Sequence, residues 1–307
     1  MELVARPYAG EDDFWRVRAF LRHLRLEAGF HPRAWDVLRW DYWRWHIVPN
    51  CGAPPPEEAV TLYETAVGDL RAVLNQDGPG ECFFQVDPRD DTDELRARML
   101  ARAEERLRTA AGLLVWTVGS DDRWSRLMQR SGYRRAADDE HVRLACLDRP
   151  IDAPALTPGY RIRSLAEGDA DFPARGDISL RVFHPVSDGS TAMTADEYRN
   201  IQRAPLYRRD LDLVVETADG SLAAFATLWF DDTLRTVDIE PMGTDAPHRQ
   251  RGLGKAILLE GMRRAQRMGA TRAYVSSYGP AAHALYASVG LETVEHMVGW
   301  RRDGPAG

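Results

Sequence analysis

Two successive α/β domains, each a mixed and mostly antiparallel central sheet flanked by helices, are what this sequence predicts, and three observations carry the prediction. The 307 residues are about twice a soft prior of roughly 150 per domain. A stretch spaced by Pro150, Pro154 and Pro158, with almost no apolar periodicity, divides the chain near its midpoint. The same order of strand and helix signals occurs on both sides of that stretch. The expected boundaries are a first domain over 1–149, a linker over 150–159 and a second domain over 160–307.

In the second half, Tyr160 to Leu165 reads as a strand, and helical patterns follow at Ala170 to Phe183 and Thr194 to Arg203. Leu211 to Glu216 and Leu222 to Phe230 make a hairpin that turns at Ala218-Asp219-Gly220. The strand Arg235 to Pro241 leads through a glycine-containing loop into a helix from Gly252 to Met268, with Leu258, Met262 and Ala265 on one face. Ala273 to Ser277 is a short strand, Ala281 to Val289 a helix, and Leu291 to Arg301 the strand expected to close this sheet. The first half has a strand at Arg6-Pro7, a helix over Glu11 to Leu26, a hairpin of Val60 to Thr65 with Leu70 to Leu74, and a strand over Cys82 to Pro88. A helix over Asp93 to Thr109, a strand over Leu113 to Val118, a helix over Arg123 to Ser131 and a strand over His141 to Leu147 complete it. Two short anchors support the repeat. Gln85-Val86-Asp87-Pro88 matches Asp238-Ile239-Glu240-Pro241, and Leu127 to Tyr133 matches Leu285 to Leu291.

Composition narrows the function. Hydrophobic residues at 44%, charged residues at 28% and nine Trp without a biased tract exclude disorder, collagen and coiled coil. No apolar run reaches the roughly 18 residues of a membrane span, and the first residues lack a basic region followed by an apolar stretch, so a cytoplasmic protein without a membrane partner is expected. A net charge of −7 argues against a nucleic-acid surface. The expected partner is small, and a homodimer is compatible with the sequence. Cys51, Cys82 and Cys146 show no CxxC or His-Cys spacing, so free thiols are expected, and neither bridges nor a metal site. Among 40 Lys plus Arg there is a single lysine, Lys255.

That lysine ends the segment His248-Arg249-Gln250-Arg251-Gly252-Leu253-Gly254-Lys255, placed between a strand and an amphipathic helix. Backbone N–H groups at a helix start converge on the positive end of its dipole, which suits an anion. Gly252 and Gly254 clear side chains from the approach, and Arg249, Arg251 and Lys255 add positive charge. A Walker A loop would need Gly at 249 and Ser or Thr at 256, where this chain has Arg249 and Ala256; a dinucleotide fingerprint would need Gly at 257, which is Ile257.

Arg249-x-x-Gly252-x-Gly254 after a strand ending Ile239-Glu240-Pro241, with Ala281-Ala282-x-x-Leu285-Tyr286-x-x-x-Gly290-Leu291 downstream, closely resembles the GNAT superfamily of acetyl-CoA-dependent N-acyltransferases over about Tyr160 to Arg301. The resemblance implies acetyl-CoA as co-substrate, with the coenzyme pyrophosphate on Arg249, Arg251, Gly252, Leu253, Gly254 and Lys255. Where many members carry Asn before the Pro-Ala-Ala run this chain has Gly279, and Ser277 is the candidate substitute on the pantetheine arm. In the first half, Asp90, Asp91, Asp93 and Glu94 crowd the corresponding helix start, and Met128 takes the position of Tyr286. A degenerate first copy before a competent second copy is similar to the arrangement in mycothiol synthase and its relatives, although no motif points to that substrate.

Amine acetylation needs a neutral nucleophile, a donor for the developing oxyanion and a proton for the departing thiolate. By the family pattern Tyr286 faces the coenzyme sulfur as acid. Glu240, at the strand end, is the candidate base, directly or through water, with Asp238 on the same strand face as its alternate. The backbone N–H of Met242 is the candidate oxyanion donor, with Gly243 beside it on the coenzyme. The acceptor expected is a primary amine on a small molecule or peptide. The alternative is an acyl-CoA-binding regulator that has lost turnover, against which the presence of Tyr286 and Glu240 argues. The cluster Trp35, Trp40, Tyr42, Trp43 and Trp45 is read as core packing of the first domain.

Overall fold

Alternation of apolar side chains along short β-branched runs sets the strands, and 3.6-residue periodicity sets the helices between them. The computed structural model describes residues 3–33, 35–166, 168–184 and 190–304. The chain forms β1 (Val4–Pro7), α1 (Glu11–Glu27), α2 (Val37–Tyr42), a π-helical turn (Trp43–Ile47), α3 (Val48–Asn50) and α4 (Pro56–Ala59). It continues through β2 (Val60–Glu64), β3 (Leu70–Gln76), β4 (Glu81–Val86), α5 (Asp93–Arg106), β5 (Leu113–Val118), α6 (Asp122–Arg130) and β6 (Arg134–Cys146). After β7 (Tyr160–Ser164) come α7 (Phe172–Phe183), α8 (Ala195–Gln202), β8 (Asp212–Thr217), β9 (Leu222–Asp231) and β10 (Thr236–Thr244), then α9 (Leu253–Arg267), β11 (Arg272–Ser277), α10 (Gly279–Ala287) and β12 (Glu292–Arg302).

Two compact units emerge, one of the residues up to Val142 together with those from Val294 on, the other Arg143–Thr293. In the first, β1 to β4 pair antiparallel in chain order and β4 pairs parallel with β5. The sequence places Leu291 to Arg301 at the close of the second sheet. The structure instead pairs β12 antiparallel with β5, from Met297↔Val118 to Arg302↔Leu113, and buries Val298 and Trp300 in the first unit's core. Local alternation makes a strand but leaves its partner unspecified. The short helices between α1 and β2 are also absent from the sequence reading. Their cause is tertiary: Trp40 and Trp43 are fully buried and stack with centroids 5.1 Å apart.

In the second unit β7 to β10 pair antiparallel in order, and β10 pairs parallel with β11. Helix α9 lays Ala256, Ile257, Leu258, Met262 and Ala265 on this sheet, against Leu213, Ala226, Leu228 and Val237. Each fully buried Ile or Leu there contributes about 1.5–3 kcal/mol. The proline-spaced stretch runs without helix or strand from 151 to 159. Ile151 and Leu156 pack against the second core, and Gln266 Nε2 donates to the carbonyls of Leu147 and Arg149.

Each unit contains one parallel pair that opens. Pairing ends at Phe83↔Trp116 in the first and at Asp238↔Tyr274 in the second, while β4 runs on to Val86 and β10 to Thr244. Among the described residues no helix is long and apolar enough to cross a membrane.

Candidate active site

Beyond the opening of β10 and β11 the chain turns into α9 through a tethered loop. Asp245 accepts from Ala246 N and from Arg181 Nε, each at 2.8 Å, the His248 ring lies 3.0 Å from the Tyr160 hydroxyl, and the Arg251 carbonyl accepts from Thr157 Oγ1 at 3.1 Å. Arg249 Nε donates to the Thr244 carbonyl at 3.1 Å. These ties hold the backbone while Arg249, Arg251 and Lys255 stay exposed at the start of a 15-residue helix, whose first-turn N–H groups lack intrahelical acceptors.

The two glycines act differently. Gly252 caps α9 with φ 74°, in the left-handed region, and a Cβ there would meet no atom within 4 Å, so its need is purely conformational. At Gly254 a Cβ would lie 3.2 Å from Leu285 Cδ2, so the missing side chain lets α9 approach α10. Leu253 is buried between them. The donor set, several convergent N–H groups with three exposed cations and no side chain over Gly252, fits a diphosphate.

Glu240 and Tyr286 come from different elements and meet electrostatically. Burial pushes the Tyr286 phenol up to about 12, the Glu240 carboxylate acts in the same direction, and Arg143 opposes both. Tyr286 packs in the second core and is 6% exposed. Glu240 lies in a register shift of β10 between Ile239 and Met242, the kind of bulge that re-aims side chains beside active sites. Met242 is opposite Ala226. Gly243 is opposite Phe225, and a Cβ there would fall 2.5 Å from Val182 Cγ1, so only glycine lets α7 close on this strand. Asp238, the alternate base, is buried where β10 is still paired on both sides. Ser277, the last residue of β11, is buried, and its Oγ accepts from Arg143 Nε at 3.0 Å. Sequence reasoning missed Arg181, Asp245 and Trp229, whose indole reaches the Glu240 carbonyl at 2.5 Å. The alternation of Phe225, Thr227 and Trp229 on one face of β9 is the signal that could have drawn attention to the last.

The first unit keeps the cleft and loses the anion site. Its opening is a cavity of about 410 Å³ lined in part by Trp35, Phe83, Trp116 and Gln85. At the helix start, Arg96 is buried and bridges Asp91 (Nε to Oδ1, 2.6 Å) and Asp121 (Nη1 to Oδ1, 2.8 Å), while Arg123 pairs with Asp93 at 2.8 Å. Of the carboxylates crowding this helix start, Asp91 and Asp93 are therefore paired with arginines, and Thr92 caps the helix by accepting from Leu95 N at 3.1 Å. Met128 is fully buried in the core. Among the described residues Cys51, Cys82 and Cys146 are free thiols, and no group of three His, Cys, Asp or Glu is placed to hold a metal ion.

A cationic helix start beside an opened parallel strand pair is present in one of the two similar units, an arrangement that suits the diphosphate of a coenzyme. The chain matches the profile described as acetyltransferase (GNAT) family over residues 181–291, within its second unit. It is 28% identical over 211 residues to a mycothiol acetyltransferase of Saccharomonospora viridis, covering 65% of this chain and 68% of the relative. A mycothiol acetyltransferase of Kineococcus radiotolerans is 29% identical over 73% of this chain and 74% of its own. Among solved structures, a tandem GNAT protein from the clavulanic acid biosynthesis pathway matches with TM-score 0.71 at 18% identity over the full length of both chains. A GCN5-related N-acetyltransferase from Sphaerobacter thermophilus matches with TM-score 0.70 at 19% identity, covering 98% of this chain and 95% of that one. At these identities the solved structures speak for the fold.

Proposed function

We propose that the second unit transfers the acetyl group of acetyl-CoA directly to a primary amine of a small molecule or peptide. The observation that carries this reading is the cationic start of α9 packed closely on α10, where Gly254 approaches Leu285 beside the buried Tyr286. Acetyl-CoA supplies the thioester to be attacked. Arg249, Arg251, Lys255 and the N–H groups from Gly252 to Lys255 hold its diphosphate, with Leu253 anchoring the turn in the core. Glu240 takes the proton from the acceptor amine, directly or through water. The N–H of Met242, with Gly243 beside it, steadies the oxygen that gains charge. Tyr286, protonated because burial holds its phenol near 12, gives its proton to the departing sulfur. Ser277, engaged by Arg143, supports β11 from inside.

Because curated relatives are named mycothiol acetyltransferases, mycothiol lacking its acetyl group is one acceptor to try first. The test is a screen of primary amines, that aminothiol, aminoglycosides, polyamines and peptides included, for acetyl-CoA-dependent thiol release. Turnover with an amine that Glu240→Gln lowers at least about tenfold, to a residual but measurable rate, supports the reading. Tight acetyl-CoA binding without thiol release across the screen would replace it with a regulator.

A further inference from the structure

The register between β9 and β10 slips at the point where Glu240 stands. Ile239 lies opposite Leu228 and Met242 opposite Ala226, so Glu240 and Pro241 together face one residue, Thr227. Such a bulge disrupts the ladder and leaves the orientation of its peptides to other contacts. Here the Glu240 carbonyl accepts from Trp229 Nε1 at 2.5 Å. Trp229 is fully buried, and the Tyr207 ring packs edge-on against it at 5.9 Å and 71°. The Tyr207 hydroxyl donates to Asp212 at 2.8 Å, and Asp212 also accepts from Tyr198 at 2.6 Å and from Thr227 at 3.1 Å. Thr227, the residue opposite the bulge, and Tyr207, the ring on Trp229, are thus tied to the same buried carboxylate.

We propose that Trp229 is a positioning residue, whose indole N–H sets the Glu240 peptide so that its carboxylate points at the acceptor. The inference rests on Glu240 being the base. A buried indole needs an acceptor, and among the carbonyls of β10 it takes the one belonging to the candidate base. Loss of that bond removes the anchor on the Glu240 carbonyl, and displacement of a reacting group by about 1 Å costs on the order of a hundredfold in rate.

The experiment replaces Trp229 with benzothienylalanine, which keeps the two-ring shape and exchanges the N–H for sulfur, with Trp229→Phe as a second variant. Each is made in the native and the Glu240→Gln backgrounds. Thiol release from acetyl-CoA is read with excess ethanolamine as acceptor. In the native background kcat should fall roughly ten- to a hundredfold with the KM for acetyl-CoA unchanged. In the Glu240→Gln background the same replacement should change kcat by less than about twofold, because the group it acts through is gone. An equal loss in both backgrounds, or unchanged kcat in the native one, overturns the positioning role while leaving Glu240 as base. Full activity of Glu240→Gln alone overturns the base and this inference with it. The isostere keeps the test valid where the Phe variant fails to fold.

Discussion

Replacing Tyr286 by Phe removes one hydroxyl from a site that is 6% exposed, and the structure sets what that should do. In the folded state the phenol titrates at about 12, against 10.0 for an unperturbed tyrosine. That rise corresponds to about 2.7 kcal/mol between the two protonation states. At pH 8 only on the order of one molecule in ten thousand carries the phenolate, so the group acts as an acid throughout the working range. Because the folded pKa is raised, this contribution to stability is fully present below pH 10 and is lost as pH rises from about 10 to 12. Tyr286→Phe should therefore reduce kcat roughly tenfold to a thousandfold, about 1.4–4 kcal/mol of transition-state stabilisation, with acetyl-CoA affinity by calorimetry unchanged. Its alkaline unfolding midpoint should move upward, as the cost of ionising this phenol disappears. Steady-state thiol release from pH 6 to 10.5 is the assay. A Phe variant with native kcat would refute the proton-donor role, and a native alkaline limb near pH 9 that the variant lacks would refute a phenol held up at about 12.

Gly252→Ala should cost about 1–2 kcal/mol through its positive φ alone, read as a lower melting temperature. Gly252→Asp adds a carboxylate to the anion site and should weaken acetyl-CoA binding more than tenfold, less so at high salt; equal affinities would remove the loop from the coenzyme site. Lys255, the single lysine, should be acylated more slowly by amine reagents when coenzyme A is present, as read by peptide mass spectrometry. Native mass spectrometry should find one tightly held acetyl-CoA per chain, since Arg96 and Asp121 occupy the first unit's helix start; two tight sites would contradict this. Arg96→Met should destabilise the first unit by about 2 kcal/mol, because Asp91 and Asp121, partly screened by solvent, lose their shared guanidinium.

Local patterns in the sequence determined the strand and helix order of both halves and the composition of the α9 loop. These depend on alternation, glycine placement and spacing within a few residues, and that information travels with the chain. The partner of β12 did not follow from its sequence. Val298 and Trp300 alternate as a buried strand should, yet only long-range packing decides that they join β5 and the first core. Gly243 read as a neighbour of the site, whereas its requirement comes from Val182 on α7, 61 positions upstream and 2.5 Å from where a Cβ would stand. The sequence showed carboxylates crowding the helix start of the first half but not their partners, because Arg96 and Arg123 carry no sequence sign of which carboxylates they clamp. Glu240 and Tyr286 were visible by motif. Their mutual field, the burial that keeps the phenol protonated and the indole behind Glu240 arise from groups distant in sequence, brought together only when the sheet forms.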